Sequence, residues 1–316
     1  MTERKKPPRL QAGMTLGVVA PSSPGPERAG VAGSVAALER LGFRVVFGPH
    51  VNDRREYLAG RDEDRADDLL AMFFRDDVDA VLCMRGGYGA IRTAHALDRD
   101  RLAQLANRPP KPFIGFSDIT ILHTVFAREL GWTTFYGPGL SSFLRASDYT
   151  IDAFRHALME TEPFDIPPDP DDPTLVQALV PGVVEGELVG GCLPLLTALM
   201  GTPWEPDLRG KVLFFENVRR APVEVDRMLM QLLLAGKLQE CAGIVIGEHF
   251  ECGPRAVGNT LSLEEVFDDL LQPLGVPTIA YLPIGHGRHI ATLPIGARVR
   301  LDATNTTLRI LEPGVT

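Results

Sequence analysis

Three short segments carry side chains that could act as a nucleophile, a base and an orienting acid. They are Gly115-Phe116-Ser117-Asp118, the apolar run 212–215 followed by Glu216, and Gly285-His286-Gly287. A serine hydroxyl attacks a carbonyl carbon when an imidazole accepts its proton, and a carboxylate on the other ring nitrogen fixes the imidazole tautomer. Ser117, His286 and Glu216 could together supply this chemistry, and the bond attacked would be an amide or an ester.

Ser117 lies where a predicted strand passes into a predicted helix. A sharp turn at such a junction presents the hydroxyl above the sheet edge, as in a nucleophile elbow. The segment departs from the GxSxG pattern, because Ile119 replaces the second glycine. Taken alone, this stretch rather favours a helix cap, in which Ser117 or Asp118 accepts a hydrogen bond from an N–H group of the helix 119–130.

Among the seven histidines, His286 is the preferred base. The glycines on either side leave its ring unobstructed and allow unusual backbone angles. His249, which follows a predicted strand in GEHFECGP, is the second candidate, and we expect His289 to be structural. The remaining histidines lie on or beside predicted helices, where surface or packing roles are ordinary: His50, His95, His123 and His156.

Glu216 emerges where the apolar run 212–215 ends, and the carboxyl ends of parallel strands are where sites are built. The alternative is a solvated acid paired with Arg219 or Arg220.

Two glycine- or proline-rich loops also follow predicted strands. Residues 85–89, Arg-Gly-Gly-Tyr-Gly, permit close backbone approach and can direct N–H groups at an anion, although a tight turn with an exposed arginine has the same sequence. Residues 21–26, PSSPGP, offer hydroxyl groups for a substrate or form a plain turn.

The fold class predicted is α/β. Short apolar runs alternate with segments of helical period in the first half, as in βαβ units around a doubly wound parallel sheet. We predict an amino-terminal domain over residues 1–160, a proline-rich linker over 161–181 and a smaller mixed α/β domain over 182–316. The strands predicted are 14–20, 44–47, 80–84, 113–115, 133–136, 183–189, 212–215, 244–247 and 298–302, and the helices are 27–41, 62–74, 119–130, 193–200, 224–234 and 263–271.

Composition excludes several classes of protein. A net charge of −9 disfavours a surface for nucleic acid, which needs clustered Lys and Arg, and no apolar run is long enough to span a bilayer. The first ten residues lack the apolar core of a signal peptide, and four separated cysteines suit a reducing cytoplasm. No metal-ligand spacing is present, so we expect neither a metal nor another cofactor.

The ordered motifs resemble the LD-carboxypeptidase family of serine peptidases, which also contains the microcin C self-immunity peptidases. They are GVVAPSSP, RGGYGA, GFSDIT with FYGP, GGCLPLLTALMGTPWEPDLRGKVLFFENV and PIGHGRH, and they span nearly the whole chain. One departure is Cys192 in GGCL, where relatives often have Asn.

The resemblance implies that Ser117 is the nucleophile, His286 the base and Glu216 its carboxylate partner. It also implies a Rossmann-like amino-terminal domain carrying the serine, a carboxyl-terminal domain carrying the other two residues, and a homodimer. The N–H groups of Gly86, Gly87 and Asp118 are candidates for an oxyanion hole.

The family's usual substrate is a cytoplasmic murein tetrapeptide, which loses its terminal D-Ala during peptidoglycan recycling. Arg85 and Arg288 are candidates for the substrate carboxylate, and Tyr88 for another substrate contact. The microcin branch instead hydrolyses aminoacyl or peptidyl nucleotides, for which Tyr88 and Trp204 could stack on adenine. A non-catalytic alternative is a two-domain small-molecule binding protein, in which Ser117 only caps a helix.

Overall fold

The computed structural model describes residues 4–253 and 260–316, and within them the chain divides into two compact units. Unit 1 contains the described residues of Met1–Thr161 together with Thr292–Gly296 and Pro313–Thr316. Unit 2 contains those of Glu162–Ala291 and Ala297–Glu312. The chain therefore returns to unit 1 after it has built most of unit 2. No helix in the described ranges is both long and apolar enough to cross a membrane.

The elements are numbered here in chain order. The strands are β1 Thr15–Val19, β2 Arg44–Phe47, β3 Ala80–Cys83, β4 Phe113–Gly115, β5 Thr134–Tyr136, β6 Phe164–Asp165, β7 Gln177–Val180, β8 Val183–Cys192, β9 Val212–Val218, β10 Gly243–Phe250, β11 Thr278–Ala280, β12 Leu293–Ile295, β13 Arg298–Asp302 and β14 Thr307–Ile310. The helices are α1 Arg28–Arg40, α2 Asp62–Phe74, α3 Ala90–Ala96, α4 Arg99–Leu105, α5 Thr120–Glu129, α6 Asp148–Met159, α7 Leu193–Ala198, α8 Pro222–Leu234 and α9 Leu263–Leu270.

Unit 1 is built on a sheet of order β2-β1-β3-β4-β5-β12, in which only the pairing of β12 with β5 is antiparallel among the described strands. The chain steps from β1 outward to β2 and then returns to the other side of β1 for β3. The strand order therefore reverses between β1 and β3, and ligands of open α/β sheets bind beside such a reversal. The loops that follow these two strands are residues 21–26 and 85–89.

Unit 2 is a mixed α/β unit with sheet order β6-β14-β13-β8-β9-β10-β11-β7. Strands β8, β9, β10 and β11 run parallel, and the strands on either side of them are antiparallel. Helices α8 and α9 bury apolar side chains against β9 and β10, including Leu229, Phe267, Phe215 and Ile246. This packing fixes the carboxyl ends of β9 and β10, where the acidic side chains described below begin.

The segment predicted as a linker, residues 161–181, belongs to unit 2 in the structure except for Thr161, which ends the first stretch of unit 1. Phe164–Asp165 pairs with β14, and Gln177–Val180 pairs with β11. These short strands are the two ends of the strand order. Proline cannot donate to a strand ladder and is tolerated at sheet edges, so a proline-rich stretch can form edge strands instead of a free connection.

Candidate active site

Ser117 occupies a strained turn between β4 and α5. Its φ angle is 63°, in the left-handed region that residues with a side chain rarely adopt. The Ser117 N–H donates to Tyr136 Oη at 3.1 Å, and the Ser117 carbonyl accepts from Thr120 Oγ1 at 2.7 Å. Neither the 3-10 turn that begins at Ser117 nor α5 has a side-chain capping bond at its start. The geometry is therefore that of an elbow rather than a serine cap.

The backbone of Gly86 lies directly against this elbow. A Cβ atom at Gly86 would be 2.7 Å from Ser117 Cβ and 3.0 Å from Ser117 Oγ. The N–H groups of Gly86 and Gly87 donate no hydrogen bond to any residue in the described ranges. Both N–H groups therefore lack a protein acceptor within the described part of the chain.

Asp118 is a structural carboxylate. It is buried and accepts from Ser22 Oγ at 2.6 Å and from the Ala90 N–H at 2.8 Å. Burial raises the pKa of the Asp118 carboxyl, and these two hydrogen bonds oppose that rise. The carboxylate thereby ties the loops after β1 and β3 to the serine turn, and it satisfies the first N–H of α3 instead of one in α5.

Two buried side chains beneath the elbow were not among the predicted site residues. His123 contacts the Gly115 carbonyl through Nε2 at 2.8 Å and Thr134 Oγ1 through Nδ1 at 2.9 Å, and burial lowers its pKa to about 4. Tyr136 is the hydrogen-bond partner of Ser117. Their only sequence signal is position, since one follows Ser117 by six residues on α5 and the other ends the next strand.

In unit 2, Glu216 and His286 form a direct pair. Glu216 is fully buried, and its Oε2 lies 2.7 Å from Nδ1 of His286. The imidazole is 17% exposed, so its surface reaches solvent while its partner does not. The predicted alternative for Glu216, a solvated acid paired with a nearby arginine, is not what the structure has. Arg219 pairs with Glu251 at 2.6 Å, and Arg220 contacts Glu224 at 3.5 Å.

The glycines beside His286 each face a carboxylate. Gly285 has φ 128°, and a Cβ there would lie 2.5 Å from Glu216 Oε2. A Cβ at Gly287 would lie 2.0 Å from Glu248 Oε2, to which the Gly287 N–H donates at 2.6 Å. The sequence prediction of unusual backbone angles holds for Gly285, whereas Gly287 is required by close approach.

The competing histidines have other surroundings. His249 packs against the rings of Phe267 and Phe215 at centroid distances of 5.1 and 5.9 Å, and burial lowers its pKa to about 4. Its Nε2 is buried without a partner among the described residues, so His249 has the surroundings of a packing residue rather than of a catalytic base. His289 is buried, with its Nε2 3.0 Å from Asp171 Oδ2.

The predicted substrate-binding side chains differ in their availability. Arg85 is exposed and makes no ion pair or hydrogen bond with a residue in the described part of the chain. Tyr88 is 48% exposed and meets Tyr57, 61% exposed, edge to face at 5.6 Å. Arg288 is exposed but already pairs with Asp171 at 2.8 Å. Arg85 and the tyrosine pair are thus free to meet a ligand, while Arg288 would have to share its guanidinium.

The loop 21–26 is used in construction. Ser23 Oγ donates to the Tyr57 carbonyl at 2.9 Å and accepts from the Tyr88 N–H at 3.1 Å, so it joins the backbones of the exposed tyrosines. Since Ser22 holds Asp118, both serines of this loop support neighbouring segments. The hydroxyl groups of PSSPGP thus bond to other loops of the protein, and the segment holds its neighbours in place.

Among the residues that the structure describes, two groups of side chains could hold a metal ion. The ligand atoms of Asp169, Asp171 and His289 lie within 4.8 Å of one another, as do those of His50, Asp53 and Asp64. In the first group, Asp171 is already paired with Arg288 and His289, which matches its charge without an ion.

Comparisons with known proteins give the family. Residues 16–137 match the model of the LD-carboxypeptidase N-terminal domain, and residues 185–301 match that of the C-terminal domain. A Bacillus subtilis (strain 168) protein named "Probable murein peptide carboxypeptidase" is 40% identical over 98% of this chain and 95% of its own length. The chain belongs to the LD-carboxypeptidase family.

Other relatives represent both branches of the LD-carboxypeptidase family. The murein tetrapeptide carboxypeptidase of Pseudomonas aeruginosa is 32% identical, with 84% of this chain and 86% of that protein covered. A crystal structure of an MccF-like protein from Bacillus anthracis str. Ames has a TM-score of 0.86 and 27% identity, covering 97% of this chain and 99% of that one. The similarity covers most of this chain for the Pseudomonas aeruginosa protein and almost all of it for the Bacillus anthracis structure.

Two features of this LD-carboxypeptidase family member bear on its site. Cys192 is buried and is the register partner of Glu216 across β8 and β9, so the departure noted in GGCL falls beside the buried acid. Trp204 is only 6% exposed and packs inside unit 2. Its ring offers little free face for a nucleobase.

Proposed function

We propose that this chain is a serine peptidase in which Ser117 is the nucleophile, His286 the base and Glu216 its partner. The observation that supports it most is the buried Glu216 Oε2 contact with His286 Nδ1 at 2.7 Å. A carboxylate at Nδ1 holds the imidazole in the tautomer whose Nε2 accepts a proton. The left-handed conformation of Ser117 supports the nucleophile assignment, because backbone strain of this kind clusters at functional sites.

The mechanism would proceed through an ester. Ser117 Oγ attacks the scissile carbonyl carbon while His286 Nε2 takes the hydroxyl proton, and Glu216 stabilises the imidazolium without becoming protonated. His286 then gives that proton to the leaving amine as the carbon–nitrogen bond breaks. Water, deprotonated by His286, hydrolyses the ester and restores the serine.

The tetrahedral intermediate needs donors for its oxyanion. The N–H of Asp118 follows the nucleophile, as in other elbows, and Gly86 and Gly87 supply N–H groups without a partner among the described residues. Loss of one such donor typically costs about 3–4 kcal/mol of transition-state stabilisation. We assign these three groups to the oxyanion hole.

We propose a murein tetrapeptide as the substrate and its terminal D-Ala as the product. The support is the similarity to relatives named as murein peptide and murein tetrapeptide carboxypeptidases. A carboxypeptidase must bind a free carboxylate, and Arg85 is an exposed guanidinium beside Gly86 that suits a bidentate contact. A cytoplasmic role in peptidoglycan recycling and a homodimeric state stay predictions from the family resemblance.

Hydrolysis of aminoacyl nucleotides is the second candidate, favoured by the similarity to an MccF-like structure. The buried ring of Trp204 argues against its stacking on adenine, which leaves Tyr57 and Tyr88 as exposed aromatic partners. Parallel assays of a murein tetrapeptide and an aminoacyl-sulfamoyl adenylate distinguish the two. A Ser117-dependent preference for the adenylate would replace the murein proposal.

The decisive test measures D-Ala release from a tetrapeptide by wild type, S117A and H286A. We expect S117A to lose activity by about 10³-fold or more while remaining folded. S34A is the matched control, because Ser34 is a buried helix serine whose hydroxyl donates to the Gly30 carbonyl at 3.1 Å within α1. If the residues act on one bond, S117A/H286A is no worse than S117A. Full activity in S117A would leave the binding-protein alternative.

A further inference from the structure

A second carboxylate, Glu248, holds the turn that carries the proposed base. The Glu248 N–H donates to the Ile284 carbonyl at 3.0 Å, and the Gly287 N–H donates to Glu248 Oε2 at 2.6 Å. One residue at the end of β10 therefore holds both flanks of His286. The missing side chain of Gly287 is what allows this carboxylate to approach.

The two strand ends act on the same turn in different ways. Glu216, on β9, contacts the imidazole itself and fills the space beneath Gly285. Glu248, on the neighbouring β10, contacts the peptide that follows His286. The ring and its backbone are thus held by separate carboxylates, and hydrogen bonds to a carboxylate are about twice as strong as neutral ones.

The charges around Glu248 come from several elements. Asp169 of the segment before β7 and Glu216 of β9 are like charges, while His289 and the Gly287 N–H oppose them. His286 follows Gly285 on the same turn, and His249 is the next residue of β10. Burial is the largest cause that raises the pKa of Glu248, to about 7.

We propose that Glu248 is a positioning residue that keeps His286 in its working orientation through the Gly287 N–H, most firmly when the carboxylate is ionised. The proposal rests on the function proposed above. It assigns Glu248 no contact with substrate.

If Glu248 served only to stabilise the fold, its ionised form would have to favour folding. The direction of its pKa shift indicates the reverse. With a pKa raised from 4.5 to about 7, folded Glu248 binds its proton more tightly than the unfolded chain does. Stability therefore falls as pH rises through that range. A neutral glutamine avoids this cost, so E248Q should melt at or above the temperature of wild type at pH 8 and match it near pH 5.

The kinetic test compares E248A and E248Q with wild type. We expect E248A to lower kcat about tenfold or more, with KM within about threefold, because a small displacement of a catalytic group is costly. E248Q, which keeps an oxygen for the Gly287 N–H, should match wild type below pH 6 and fall severalfold behind it above pH 8. The control is E265A, which removes a carboxylate that also accepts a backbone N–H in unit 2, from Ser262 at 2.7 Å.

Each result decides the matter. A kcat for E248A equal to that of E265A, a loss confined to KM, or a pH-independent ratio of E248Q to wild type would overturn the proposal. If E248A does not fold, E248Q carries the test.

A readout without substrate separates this proposal from the function on which it rests. The amide proton of Gly287 should resonate downfield in wild type, move with pH near 7, and lose both properties in E248A. An inactive wild type that shows this signature would refute the carboxypeptidase assignment alone. An active wild type without it would refute the role of Glu248 alone.

Discussion

Ser117 combines a side chain with a backbone angle that normally suits glycine. A non-glycine residue held at φ 63° costs about 1–3 kcal/mol, which neighbouring contacts must offset. Here Tyr136 and Thr120 hold the peptide groups on either side of its Cα. The side chain that accepts a helix N–H is instead that of Asp118, and the helix is α3. In this turn Ser117 thus supplies the proposed nucleophile, and Asp118 supplies the hydrogen bonds that hold the turn in place.

This strain leads to a stability prediction that does not depend on activity. S117A keeps the Cβ atom and the strain, whereas S117G removes both. We expect S117G to exceed S117A in unfolding free energy by about 1 kcal/mol, since glycine adopts this φ freely. Urea denaturation of both proteins checks it. The reverse order, with S117G less stable, would mean that flexibility of the unfolded chain outweighs the strain.

The role proposed for Glu248 depends on contacts that residue types alone do not predict. Glu216 and Glu248 share one sequence pattern, because each is an acid that follows a strand-like run, 212–215 and 243–247 respectively. The sequence does not reveal that Gly287 lies against it, because that contact depends on the register of β9 and β10 and on the path of a later turn. The sequence feature that could have identified Glu248 is its position at the end of a predicted strand, the same feature that predicts Glu216 as a site residue.

At the scale of elements, the loops after β1, β3 and β4 form one connected framework in unit 1. Ser22 and Ser23 reach the two other loops, and glycines at 86, 87 and 89 allow the loop after β3 to lie close to them. Gly87 and Gly89 have φ 121° and 135°, which explains why side chains are absent there. The position of Gly86 is decided by contact with Ser117.

G86A tests that contact. A methyl group 2.7 Å from Ser117 Cβ and 3.0 Å from the Phe116 carbonyl must displace the elbow. We expect kcat for the proposed reaction to fall by about 10- to 100-fold, because the nucleophile is misplaced, with a small change in melting temperature. The control is G30A in α1, where the nearest atom is at an ordinary 3.5 Å and alanine favours the helix by up to about 1 kcal/mol. Equal activity in both variants would contradict the close approach.

Several elements could be predicted because their patterns are local. The bounds of β2, α2, β4 and β13 agree with the sequence prediction, since each is an apolar run or helical period with clear ends. Short elements such as β6, β7 and β12 could not be predicted in this way. Their pairing partners are distant in the sequence, and β6 and β7 lie in a proline-rich stretch whose composition favours a connection over a strand.

At the scale of the whole molecule, each unit is built from more than one stretch of the chain, whereas the sequence predicts two consecutive domains. Residues 292–296 leave unit 2 to add β12 beside β5, and 313–316 also belong to unit 1. Composition cannot reveal such a return, because β12 is an ordinary apolar triplet. The family motifs, by contrast, indicate both domains of the family, because short motifs in a fixed order can be found without knowing which strands pair.

Acid sensitivity of the folded chain should come in part from His123 and His249, one in each unit. Burial lowers both pKa values to about 4, so folded protein keeps these rings neutral while unfolded protein takes up protons below about pH 6.5. The unfolded state then binds more protons, and stability is lost as pH falls from 6.5 to 4. Each ring can contribute up to roughly 1.4 kcal/mol per pH unit in that range.

H249F isolates one of these contributions. Phenylalanine cannot titrate, and it joins the rings of Phe215 and Phe267 while removing an Nε2 that has no partner among the described residues. The unfolding free energy of H249F minus that of wild type should therefore grow as pH falls from 6.5 to 4 and stay constant above pH 7. Urea denaturation across this range measures it, with H95Q, at an exposed position, as the control. A difference independent of pH would show that His249 takes up its proton as readily in the folded state as in the unfolded state, and would place a charge at low pH where the structure has an apolar cluster.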